Sequence, residues 1–152
     1  MKLAPDSVVI SPPPEPRVSL SQNPLNIEAA EQQVMSQACG AVTLFCGRIR
    51  DNNEGEAVTG IHYEAYETMA LQELRDIVTE ADQLFPQTRS VAHHRLGDLS
   101  IGDAAVVVAV AAPHRKVTFT ACAWIIDQLK ARVPIFKHER RESGVTWVGL
   151  GP

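Results

Sequence analysis

Residues 104–112 read AAVVVAVAA, a run with no polar side chain. An apolar run this short cannot span a bilayer as a helix, which needs about 20 residues. As a strand it has no face that belongs in water, so both of its faces must be covered. Ala104–Ala112 is therefore expected as the central strand of a sheet with other elements packed on it. The rest of the chain has to supply those elements.

The first of them follows at once. Ala112–Arg141 reads APHRKVTFTACAWIIDQLKARVPIFKHERR. Phe119, Cys122, Ile126 and Leu129 recur at three- and four-residue steps, the spacing of one helix face. Ala121, Ala123 and Ala131 favour the helix further. Pro113 blocks extension backwards, and Pro134 disfavours helical geometry at Val133. The spacing predicts a helix from Arg115 to Arg132. His114 and Arg115 then stand at its N-terminus, where free N–H groups and the positive dipole end favour an anion. Lys130 falls in the last turn. Lys137 lies beyond the proline in a predicted strand, and a strand leaving a helix can fold back over it. The two lysines can thus converge, although spacing does not require it.

Charge sharpens this reading. Residues 1–113 carry seven Lys and Arg against fifteen Asp and Glu, whereas residues 114–152 carry seven against three. A cationic region on a chain of net charge −4 points to an anionic ligand rather than to general affinity for nucleic acid. With aromatics at 5%, no stacking platform for bases is in sight. The competing reading is a solvated cationic face, because Lys and Arg in a last helical turn complement the dipole in any protein.

The remaining elements follow in order. The proline-rich lead-in, 1–17, has no periodic pattern and is expected to be flexible. It also lacks the hydrophobic segment of a secretory signal. Three cysteines without a CxxC pair fit a reducing cytoplasm better than disulfides or zinc. Val18–Leu20 reads as an edge strand. Asn26 can cap a helix whose Ile27, Ala30 and Val34 share a face. Ala41–Cys46 is an apolar strand that delivers Arg48 and Arg50 into the polar loop GRIRDNNEGE, either as an anion clamp or as an ordinary soluble hairpin. Val58–Tyr66 alternates as a strand, with Ile61, Tyr63 and Ala65 on one face. Thr68 is expected to cap a helix running to Leu84, with Leu71, Leu74, Ile77, Val78 and Ala81 buried. Arg89–Leu96 reads as a strand. Its adjacent His93 and His94 point to opposite faces and so do not make a metal site. Gly97–Gly102 is expected as a turn region, and Ile135–Arg140 with Val145–Gly149 as a hairpin. This order gives one α+β domain with a mixed or antiparallel sheet.

Taken together, GAVTLFCGRIRDNNEG, HYEAYETMA, HHRLGDLSIGD, APHRKVTFTACAWIIDQLKARVPIFKHE and the final WV resemble the catalytic large subunit of molybdopterin synthase, the MoaE family. The likeness runs from Val18 to Val148. It implies an α/β hammerhead fold over 18–152 and a central homodimer. A small ubiquitin-like, MoaD-like sulfur carrier would sit at each end, giving a heterotetramer. In such assemblies the carrier's C-terminal Gly-Gly, charged as a thiocarboxylate, enters the large subunit's pocket. Sulfur passes to cyclic pyranopterin monophosphate to build the molybdopterin dithiolene, with no resident cofactor or metal. The resemblance assigns catalysis to Lys130 and Lys137. It assigns substrate contact to Arg50, to His114 and Arg115, and to the segments holding Arg48, Ile49, His138 and Glu139. On the residues alone, a non-enzymatic module that docks an anion or another protein's C-terminus stays open, since the same cations would serve it.

Overall fold

The structure, a computed structural model, describes residues 10–150. The strand at its centre is β8 (Ala104–Ala112), flanked by β6 (Arg89–Arg95) and β2 (Ala41–Arg48). Both neighbours pair antiparallel with it, and β1 (Val18–Ser21) closes the sheet as an edge strand, parallel to β6. The apolar run has the two covers it requires. Val106, Val108 and Val110 face the main core with α2 (Glu67–Leu84) and α3 (Arg115–Arg132). Val107, Ala109 and Ala111 face the smaller helix α1 (Ile27–Val34) through Ala30 and Val34. The period of two along the strand thus divides one sequence run between two cores. As expected, Asn26 caps α1, its side chain accepting from the Ala29 N–H at 2.9 Å.

A second antiparallel sheet has the order β10-β9-β5-β7, built from β5 (Gly60–Ala65), β7 (Gly97–Ser100), β9 (Ile135–Arg141) and β10 (Gly144–Leu150). A small ribbon of β3 (Asn52–Asn53) and β4 (Glu56–Ala57) completes the strands described. Among the described residues no helix is long and apolar enough to cross a membrane.

The proline-bounded helix begins and ends where predicted. Three local expectations are corrected. Phe119 is 61% exposed, just outside the buried stripe of Thr118, Ala121, Cys122, Ile125, Ile126 and Leu129. Thr118 takes the inner position because its hydroxyl is satisfied there, by the Arg115 carbonyl and the Thr43 hydroxyl. Thr68 is not a cap. The turn starts at Tyr66, whose N–H is held by the Pro134 carbonyl, and Thr68 lies inside the first turn. Residues 97–100 are a strand rather than a turn, drawn into register by pairing with β5. The chain turns only at Ile101 and Gly102.

Of the proline-rich lead-in, residues 1–9 lie outside the described residues. Beyond them Arg89 donates to the Ser11 and Pro12 carbonyls. Arg17 is buried, forking onto the Asp82 carboxylate at 2.7 and 2.8 Å and donating to the Ser90 carbonyl.

Candidate active site

A cavity of about 230 Å³ opens where the two sheets meet the C-terminal end of α3. Five chain segments, with Ala105 and Val106 of β8, deliver its walls. Strand β2 supplies Phe45 and Gly47, then Arg48, Ile49 and Arg50 as it leaves the sheet. The β3–β4 ribbon supplies Asn52 and Asn53, β5 supplies Ile61 and Tyr63, and the last turn of α3 supplies Lys130. Lys137 and Glu139 come from β9.

The convergence of Lys130 and Lys137 has a plain local cause. Helix α3 stops at Arg132, the Val133 N–H closes back on the Leu129 carbonyl, and Pro134 forces the chain to extend. Strand β9 then returns across the core, pairing with β5 from Ala65↔Ile135 to Gly60↔Arg140. Residues 137 and 139 therefore share the inner face of the strand. Burial holds the Lys137 ammonium below the ordinary lysine range; the Lys130 and Arg50 cations push the same way, and the Glu139 carboxylate opposes them. Three cations thus act on one small volume. Among the described residues, no three His, Cys, Asp or Glu side chains form a group that could hold a metal ion.

Glu139, 2% exposed, is fully engaged. One oxygen accepts from the Asn53 amide at 2.8 Å and the other from the Arg141 guanidinium at 2.8 Å. Arg141 also pairs with Glu56. The carboxylate therefore ties the β3–β4 ribbon to β9 and offsets part of the positive charge beside it. Ile49 is buried, its backbone locked between Asp103 and Gly102. That pins the start of the loop carrying Arg50. Arg48 is exposed at the rim and donates to the Gly102 carbonyl.

The remaining expected contacts fall elsewhere. His138 points to the outer face of β9, its ring 6.2 Å from His62 and its Nε2 3.8 Å from Glu64. His114 and Arg115 are exposed at the other end of α3, about 22 Å along the axis from Lys130 at ~1.5 Å per residue. Within one chain they do not line this cavity. Tyr63, Asn53 and Gly47 line it without having been marked as site residues. Tyr63 reads as a core position of a strand, and Gly47 and Asn53 as residues of the polar loop; Gly47 in fact continues β2.

Gly47 is needed for space. A Cβ there would meet Val106 Cγ1 at 2.8 Å and Phe45 Cε1 at 3.4 Å. Gly47→Ala is expected to cost about 1–3 kcal/mol by overpacking and to narrow the cavity. Denaturant midpoints and ligand titration check the two effects.

With this geometry in view, comparison with known proteins is decisive. The family model described as "MoaE protein" matches residues 20–132. The chain belongs to the MoaE family. Its relatives include a molybdopterin synthase catalytic subunit from Pyrococcus abyssi, 41% identical over 87% of this chain and 90% of the relative. Another, from Bacillus subtilis, is 38% identical over 88% of this chain and 85% of the relative. The crystal structure of molybdopterin synthase from Staphylococcus aureus superposes with a TM-score of 0.85 at 34% identity, covering 88% of this chain and 97% of that one. The expected α+β fold is thus the fold of this family.

Proposed function

We propose that this MoaE-family chain transfers sulfur from the thiocarboxylated C-terminal glycine of a small ubiquitin-like carrier to cyclic pyranopterin monophosphate, forming the dithiolene of molybdopterin. The observation that carries this reading is the meeting of Lys130, Lys137 and Arg50 at one cavity. Both reactants are anionic, one a cyclic phosphate and the other a thiocarboxylate. Bringing them together requires fixed cations that offset their repulsion and stabilise charge developing on the acyl oxygen.

In this reading Lys130, exposed on the cavity rim, orients the thiocarboxylate and polarises its carbonyl. Lys137, buried deeper and with a lowered pKa, exchanges the proton. Arg50 offers a bidentate fork to the phosphate, with Arg48 beside it. Ile49 and Glu139 hold the loop and the strand that carry these groups. His114 and Arg115, distant within one chain, are assigned to substrate contact only in an assembly of two copies. His138, on the outer face, is not assigned to substrate. The relatives' description as catalytic subunits supports a partner subunit, here the MoaD-like carrier on a central homodimer. Sulfur arrives on that partner, so the reaction calls for no resident cofactor. We place it in the cytoplasm, consistent with the free Cys39, Cys46 and Cys122.

The test mixes the chain with a thiocarboxylated carrier and the cyclic pterin. Dithiolene formation is expected. Retention of ligand without product would instead identify a binding module.

A further inference from the structure

Strand pairing sets Tyr63 of β5 directly across from Lys137 of β9, with Ile61 and Glu139 as the next pair on the same face. Side chains so paired stand ~5 Å apart at Cβ. Tyr63 is 3% exposed and lines the cavity. Its ring rests edge-on against His94, centroids 5.0 Å apart at 82°, and His94 is itself fully buried. The ring is therefore held in place from behind.

The hydroxyl is the informative atom. Buried tyrosines normally give their O–H a partner, because an orphan costs free energy. Among the described residues no protein group hydrogen-bonds the Tyr63 hydroxyl. Nor does it belong with the sealed orphan atoms of the interior, which are Glu80 Oε2, His94 Nε2 and Arg95 Nε. The space that Tyr63 borders is the cavity, so the cavity is where its hydroxyl can find a partner.

We propose that Tyr63 is a ligand-contacting residue of this site, its hydroxyl donating a hydrogen bond to an anionic oxygen of the reactants held beside Lys137. This rests on the sulfur-transfer reading above. Burial and the Glu139 carboxylate push the phenol up to about 12, so it stays a neutral donor wherever the lysines act. It adds a directed bond without adding charge to a pocket that already holds three cations. Two sources offer the acceptor: the phosphate of the pterin and the carboxylate of the carrier's terminal glycine.

Tyr63→Phe keeps the ring and its packing on His94 and removes only the oxygen. The full chain, wild type and Y63F, is titrated separately with cyclic pyranopterin monophosphate and with a synthetic peptide ending in Gly-Gly carboxylate. Turnover with the thiocarboxylated carrier is measured alongside. A roughly tenfold or greater weakening is expected for one of the two ligands, with an equal fall in kcat/KM and an unchanged melting temperature. The ligand affected identifies the oxygen. Unchanged binding and turnover would overturn the proposal, and so would equal losses for both ligands accompanied by a lower melting temperature. A wild-type chain that shows the Tyr63-dependent binding but makes no dithiolene would refute the sulfur-transfer reading and leave the contact standing. A wild-type chain that binds neither ligand would overturn both.

Discussion

Lys130→Ala is expected to lower sulfur transfer by roughly a hundredfold or more, the usual cost of losing one preorganised electrostatic contact to a reacting oxygen. The side chain is exposed on the last turn of α3 and makes no ion pair among the described residues, so the melting temperature should hardly move. Lys137→Ala is expected to cost as much. A pH–rate profile separates the two lysines. The Lys137 ammonium titrates below the ordinary lysine range, chiefly through burial and in part through the Lys130 charge. Activity that needs this ammonium falls as pH rises through the lowered value. Removing Lys130 takes away one depressing cation, so the alkaline limb of the residual activity moves to higher pH. Full activity in Lys130→Ala with thiocarboxylated carrier would refute the assignment, and an unmoved limb would remove Lys137 as the titrating group.

The second large effect is on stability in acid. His94 is completely buried, and among the described residues it has one hydrogen-bond partner: its Nδ1 meets the Arg95 carbonyl at 2.7 Å, and its Nε2 has none. Burial lowers its pKa from 6.5 to about 4, with the Arg95 bond opposing. The unfolded chain then binds a proton that the folded chain refuses between those two values. The stability due to neutral His94 is complete above pH 6.5 and is lost as pH falls through the window to about 4. At 1.36 kcal/mol per unit the loss comes to about 3 kcal/mol. Melting temperatures recorded from pH 7 to pH 4 should fall accordingly. His94→Phe keeps an aromatic ring against Tyr63 and removes the titration, so its melting curve should lose that part of the pH dependence. Parallel curves for the two proteins would show that another group is responsible.

Sequence reasoning reached some features and missed others for identifiable causes. The ends of α3 were legible because prolines 113 and 134 act on their own neighbours. The centrality of β8 was legible because an all-apolar strand allows no other placement. Phe119 was misplaced because it sits at the rim of the helical stripe, where Thr118 can compete once its hydroxyl finds Thr43, 75 residues away in sequence. Alternation kept His93 and His94 on opposite faces, and the same rule separates Lys137 from His138. The lysine enters the cavity, and the histidine meets His62 and Glu64 outside. Tyr63 gave no signal, since a strand pattern cannot distinguish a tyrosine that fills a core from one whose hydroxyl meets a cavity.

The amino-acid order by itself determined the central strand, the limits of the long helix, the crowding of cations into the last quarter of the chain and the family likeness. These depend on residues a few positions apart. Only the tertiary structure decided which cations meet. That outcome follows from the register of β9 on β5, a pairing of residues 70 to 80 positions apart. It also follows from the length of α3, which carries Lys130 into the pocket and leaves His114 and Arg115 at the far end.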